Sequence, residues 1–233
     1  MSACTILSHE ALHEFAHVDG KIIQTVKLLV TKPGRLTTEF LAGRRARFIS
    51  PVRLYLTCSL IFFALAAVAP VDDRPFFRIT PGGARGITFN TTEQLREATV
   101  EANRAIIHGL PRVMFLLMPV FAFGTWLLYR KARRFYAAHL YYSIHFHAFA
   151  FLAMTLMVSL RLAHPYAVPV ANLIPATTWA YQYISLRRVF GGSVIQTAWK
   201  GTLLNVTYTF VVLAAMVTLG LLSVAQSQAH AAH

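Results

Sequence analysis

The sequence predicts an all-α fold: a polytopic membrane helix bundle of about five transmembrane helices, preceded by N-terminal cytoplasmic amphipathic, interfacial helices. Three observations carry this expectation. The 233 residues are 56% hydrophobic and 13% charged, where a soluble domain carries about 25% charge. Mean hydropathy is +0.51. Five apolar stretches approach the ~20 residues that a helix needs to cross a ~30 Å hydrocarbon core: Val52–Ala69, Val113–Tyr129, Leu140–Ala163, Val168–Leu186 and Leu203–Val224.

The chain divides accordingly. Residues 1–50 form a cytoplasmic amphipathic segment. Residues 51–225 form the membrane domain, with an extracytoplasmic loop at 70–111, and 226–233 form a short tail. The fourth stretch holds Pro169, Asn172, Pro175 and Gln182. A helix so interrupted needs neighbours to satisfy its freed backbone groups. The first 50 residues are too polar for a cleavable signal, so the first span is expected to act as an uncleaved insertion signal. Cys4 and Cys58 form no CxxC pair and suggest no disulfide.

Net charge is +13, and its placement sets an orientation. One side collects Lys21, Lys27, Lys32, Arg35, Arg44, Arg45, Arg47 and Arg53, then Arg130, Lys131, Arg133 and Arg134, then Arg187, Arg188 and Lys200. The other side has fewer cations, offset by acids in the long loop. The positive-inside rule then places the N-terminus in the cytoplasm and, after five spans, the C-terminus outside. These cations hug the ends of apolar spans, which points to anionic lipid headgroups and away from nucleic acid. Arg44, Arg45, Arg47, Arg130, Lys131, Arg133 and Arg134 form the candidate headgroup patch. No Asp or Glu follows Glu101, which argues against carboxylate proton relays and two-carboxylate hydrolysis in the last four spans.

The stretch HEALHEFAH, residues 9–17, contains H-E-x-x-H twice. On a helix, His9, His13 and His17 form one stripe able to chelate zinc from successive turns. That stripe lies opposite the apolar face of Leu12, Phe15, Ile22, Ile23, Val26, Leu29 and Val30, so it is expected to face water. Neither copy completes the H-x-x-G-x-x-H extension, and no distant aspartate lies on the same side. A solvated polar face is therefore the favoured reading, with zinc at His9, His13 and His17 as the alternative; no catalytic residue is assigned. A second amphipathic piece, RLTTEFLAGRRARF, groups Leu36, Phe40 and Leu41.

The third stretch opens AAHLYYSIHFHAFAF. His139, His145 and His147 are ionisable groups at membrane depth, which are functional hypotheses by default. One helix cannot chelate a metal with all three, so each is expected to seek partners on other helices: Asn172, Tyr181 and Gln182 in the fourth stretch, and Asn205, Thr207 and Tyr208 in the fifth. His139, His145, His147, Asn172, Gln182 and Asn205 make up the candidate intramembrane polar site. In the outer loop, TTEQLREATVEANRAII reads as a helix capped by Thr91 and Gln94.

The run KLLVTKPGRLTTEFLAGRRARFISPVRLYLTCSLIFF is the most specific text in the chain. With HEFAHVDGK, RRFYAAHLYYSIHFHAFAFL and YQYISLRRVFGGS, it resembles a bacterial membrane-protein family catalogued as domain-of-unknown-function family 3667. Members often carry a zinc ribbon with two CxxC pairs ahead of this text; this chain begins MSACTILSHE, with Cys4 alone. The resemblance implies a bacterial inner-membrane protein and adds no mechanism.

The leading functional expectation is a non-enzymatic binding, scaffold or transport-type component, without a cofactor, whose partners are membrane lipids and other membrane proteins or further copies of itself. Two alternatives compete. One is a metal-binding protein or metal-dependent enzyme using the histidines. The other is a regulatory protein that docks on lipid or a partner through its basic arm.

Overall fold

The structure, a computed structural model, describes residues 20–68, 92–163 and 165–231. The HEALHEFAH motif, Thr91 and the first half of the outer loop lie outside these. Among the described residues all regular structure is helical. We label the helices α1 (20–31), α2 (Arg35–Leu41), α3 (Pro51–Val68), α4 (Thr92–Tyr129), α5 (Tyr136–Ala163), α6 (Val168–Ala171), α7 (Ile174–Phe190) and α8 (Val194–Ala231); a 3-10 turn, Pro165–Ala167, precedes α6.

The helix ends follow from local chemistry. Helix α1 stops before Pro33–Gly34, where Gly34 has φ 74. A Cβ on Gly34 would lie 2.8 Å from the Ser185 carbonyl oxygen, so the turn needs glycine for both its conformation and its close approach. Ser50 caps α3 by accepting from the Arg53 amide at 3.3 Å, and Pro51 fits the first turn, where its missing N–H has no partner to lose. Gly191 and Gly192, at φ 72 and 103, end α7. Ser193 then caps α8 by accepting from the Gln196 amide.

Four helical segments are long and apolar enough to cross a membrane: Pro51–Val68, His108–Tyr129, Tyr136–Ala163 and Val194–Gln226. The fourth apolar stretch differs. It is cut at Asn172–Leu173 into the four-residue α6 and the 17-residue α7. Yet the pair runs antiparallel along α5, as its contacts show: Asn172 meets Arg161, Tyr181 stacks on Phe149, Ser185 bonds Tyr142, and Phe190 stacks on His139. From His139 to Arg161 is about 33 Å of helix. The two pieces together therefore cover the depth that one continuous helix would.

Helices α4 and α8 are also antiparallel. Lys200 donates to the Leu128 carbonyl at 2.9 Å, Leu204 packs on Gly124 and Leu219 on Gly109, and Tyr208 meets Phe121. The chain thus traverses the bundle five times. The end holding the start of α5, the end of α7 and the start of α8 carries most of the cations; we call it the basic end.

Two elements depart from the sequence expectation. The helix expected within the outer loop and the second span are one 38-residue helix, α4, which runs through Pro111 and Pro119. Hydroxyls of α5 bind beside the second proline: Ser143 donates to the Met118 carbonyl and Tyr136 to the Pro119 carbonyl. Neighbours of this kind allow a membrane helix to carry proline. The α1–α2 hairpin also packs into the bundle. Leu29, Leu36 and Phe40 are buried at 1–3% exposure in one cluster with Leu54, Tyr55 and Phe151, while Ile23 and Val30 stay exposed.

Candidate functional site

All three histidines of α5 are buried, and each has a different partner. His147 donates from Nδ1 to the Ser143 carbonyl at 2.8 Å, so in its neutral form Nε2 accepts from the Tyr208 hydroxyl at 2.7 Å. His145 Nδ1 lies 3.0 Å from Thr37 Oγ1 of α2, and its ring meets Phe40 edge-on at 5.1 Å. His139 donates from Nε2 to the Arg133 carbonyl at 3.0 Å.

The candidate intramembrane site is therefore not one constellation. Asn172 sits at the opposite end, accepting from Arg161 at 2.7 Å. Gln182 is buried, and its backbone carbonyl accepts from Ser185, while its amide group makes no hydrogen bond. Asn205 is half-buried on α8. Among the described residues no three His, Cys, Asp or Glu side chains gather closely enough to hold a metal ion. His147 and His145 meet hydroxyls of α8 and α2, as their expected search for partners on other helices has it, while His139 binds the loop before its own helix. His9, His13 and His17 lie outside the described residues. Of the expected partners Tyr208 bonds His147, whereas His145 meets Thr37, 108 positions away and not among those partners. It carries no signal beyond being a threonine on the buried face of α2.

The cations do converge. At the basic end a cleft of about 360 Å³ is lined by Phe40 and Leu41 of α2, Arg45, the α4–α5 loop residues Arg133, Arg134 and Phe135, and Ala137, Ala138 and Tyr141 of α5. Aromatic and aliphatic side chains supply apolar lining. The first turn of α5 opens onto it, with the positive end of its helix dipole. The loop backbone is held from both sides. His139 binds the Arg133 carbonyl, and the Trp126 indole donates to the Arg134 carbonyl at 3.2 Å. Arg45 lies over the Tyr141 ring at 5.9 Å, within cation–π range.

Glu39 sorts the neighbouring arginines. It is the only acidic residue between 20 and 68, and it pairs with Arg44 and, at 2.9 Å, with Arg35. The Arg44 guanidinium, with Arg35 behind it, holds the Glu39 carboxyl below the usual carboxylate range. Arg44 and Arg35 thus share the one carboxylate. Arg45, Arg133 and Arg134 make no ion pair among the described residues. Of the seven candidate headgroup residues the cleft takes these three; Arg47, Arg130 and Lys131 are exposed outside it. A larger cleft of about 660 Å³ at the other end is lined by Arg96, Arg104 and His108 but also by Glu97 and Glu101, so it offers no single-sign field.

These features define a class: a multi-pass, all-helical membrane protein with a basic amphipathic cleft at one end. Residues 19–63 match a family described as "Protein of unknown function (DUF3667)". The match covers the described part of α1, all of α2 and most of α3, and includes Arg45 but not Arg133 or Arg134. No curated protein and no solved structure matches the chain.

Proposed function

We propose that this chain is a non-enzymatic binding component of a bacterial inner membrane, which holds an anionic lipid headgroup at its basic, cytoplasm-facing end. The observation that carries this reading is the convergence of Arg45, Arg133 and Arg134 over an apolar lining. Guanidinium groups present forked donors suited to phosphate, and the apolar lining suits the first part of an acyl chain. Among the described residues the lining supplies cations and apolar surface but no carboxylate, thiol or imidazole, which supports binding over chemistry. The positive-inside rule supports the orientation, with the N-terminus and the cleft inside and the C-terminus outside.

The test is lipid retention by the purified full chain in nanodiscs, read by native mass spectrometry. The triple substitution Arg45→Gln, Arg133→Gln, Arg134→Gln should reduce retained anionic phospholipid about tenfold, and binding to the unsubstituted chain should weaken as salt rises. Equal retention by both proteins would overturn the proposal.

A second reading, transport, is favoured by the break at Asn172–Leu173 and by the buried Gln182 amide, because discontinuous helices line sites in transporters. It requires substitution of Asn172, Pro175 or Gln182 to change flux in proteoliposomes.

A further inference from the structure

Resting on the lipid-binding reading above, we infer that the cleft selects a phosphate monoester lipid, a headgroup ending in a phosphate dianion, over the phosphodiester lipids that make up bulk anionic bilayers. Three observations carry this. The first is charge balance. Among the described residues three guanidinium groups line the cleft and no carboxylate does, while Glu39, on α2 beside it, is engaged by Arg44 and Arg35. A diester brings one negative charge; a monoester brings close to two at pH 7, because its second pKa is about 6. The second charge offsets a second guanidinium that a diester would leave uncompensated.

The second observation is geometry. Arg133 and Arg134 stand on a loop whose carbonyls are fixed by His139 and Trp126. Arg45 comes from a separate part of the chain, after α2, and lies over Tyr141 of α5. Donors from two elements suit an anion whose terminal oxygens are open on several sides, as three oxygens of a monoester are. A diester has two such oxygens and a bulky substituent where the third would be. The third observation is the lining. Phe40, Phe135 and Tyr141 present rings at one small cleft, so the headgroup that fits is small and is followed directly by hydrocarbon.

The titrating partner in this recognition is the ligand. The charged or titratable groups around the cleft are Arg45 after α2, with Arg35, Glu39 and Arg44 on and beyond that helix; Arg133 and Arg134 on the loop; and Tyr141 and His139 on α5, the latter turned inward to the Arg133 carbonyl. Guanidiniums stay charged at any working pH. Protonation of the ligand therefore sets the trend: monoester binding strengthens from pH 5 to pH 7.5, and diester binding stays flat.

The experiment titrates the full chain in neutral-lipid nanodiscs doped with phosphatidic acid (monoester) or phosphatidylglycerol (diester), at pH 5 and pH 7.5. It is run with and without Arg45→Gln/Arg133→Gln/Arg134→Gln, and water-soluble glycerol phosphate serves as competitor. The expected result is about tenfold tighter binding of phosphatidic acid at pH 7.5, a difference that closes near pH 5 and is abolished in the triple variant. Equal binding of the two lipids, lost equally in the variant, would overturn the selectivity and leave the anionic-lipid reading standing. Binding indifferent to the arginines would overturn both. Complete displacement by millimolar glycerol phosphate would show a site for free phosphate and overturn the lipid inference. Thermal unfolding in the same detergent checks that the variant, changed only at exposed side chains, remains folded.

Discussion

Thr37 and His145 show how much a single pair of residues contributes. Both are buried, so removing the hydroxyl leaves a ring nitrogen without its partner in a dry place, at a cost of about 1–3 kcal/mol. Thr37→Val keeps the shape and should lower the melting temperature of the purified protein, whereas Thr38→Val, whose hydroxyl bonds only its own helix, should leave it nearly unchanged. Gly34→Ala is a second residue-scale test. It forces a side chain into φ 74 and against the Ser185 backbone, and should destabilise the protein by at least about 1–2 kcal/mol; an unchanged melting temperature would refute the close approach. The histidines were legible in the sequence because ionisable groups are rare in apolar runs. Their partners were not, because a hydrogen bond between positions 37 and 145 depends on where two helices cross, and periodicity along one helix does not encode that.

Helix α2 has two working faces. Leu36, Thr37 and Phe40 lock into the bundle, and Phe40 and Leu41 also line the cleft. Its outer face carries Arg35 and Glu39, bonded one turn apart. Glu39→Gln would release Arg44 beside the cleft without emptying the core. Anionic-lipid retention should then rise by about two- to threefold and become more salt-sensitive; a fall would show that Glu39 shapes the cleft rather than restraining its charge. The grouping of Leu36, Phe40 and Leu41 was readable from spacing. What covers it was not, because a lipid-facing stripe and a protein-facing one have the same composition. Similarly, the basic patch was legible as a set of seven, but the three residues that converge are separated by 88 positions of chain, and only the fold brings Arg45 to Arg133.

At the scale of the whole molecule, the antiparallel packing of α4 and α8 puts Lys131 and Gln226 at opposite ends of the bundle. Single cysteines at Lys131 and Gln226, in a Cys4→Ser/Cys58→Ser background, should therefore react with an impermeant thiol reagent from opposite sides of sealed vesicles. Labelling from the same side would mean that α6 and α7 do not complete a crossing. The number of apolar runs was readable directly from hydropathy, since helices in lipid must satisfy their backbones internally. The break in the fourth was signalled by Pro169, Asn172 and Pro175. The continuity of α4 through Pro111 and Pro119 was hidden, because proline marks a helix end in water and is tolerated where neighbouring helices hold the chain.

That continuity makes α4 a mast. From Thr92 to the start of its apolar span at His108 it rises about 24 Å, roughly three screening lengths at physiological salt. Glu93, Glu97 and Glu101 ride on this rigid stem, three of the four acids among the described residues. Glu93, the outermost, stands about 22 Å beyond His108, where repulsion from anionic headgroups is largely screened. Whatever approaches along α4 meets a stem of mixed charge, on which Arg96 and Arg104 stand among the three carboxylates.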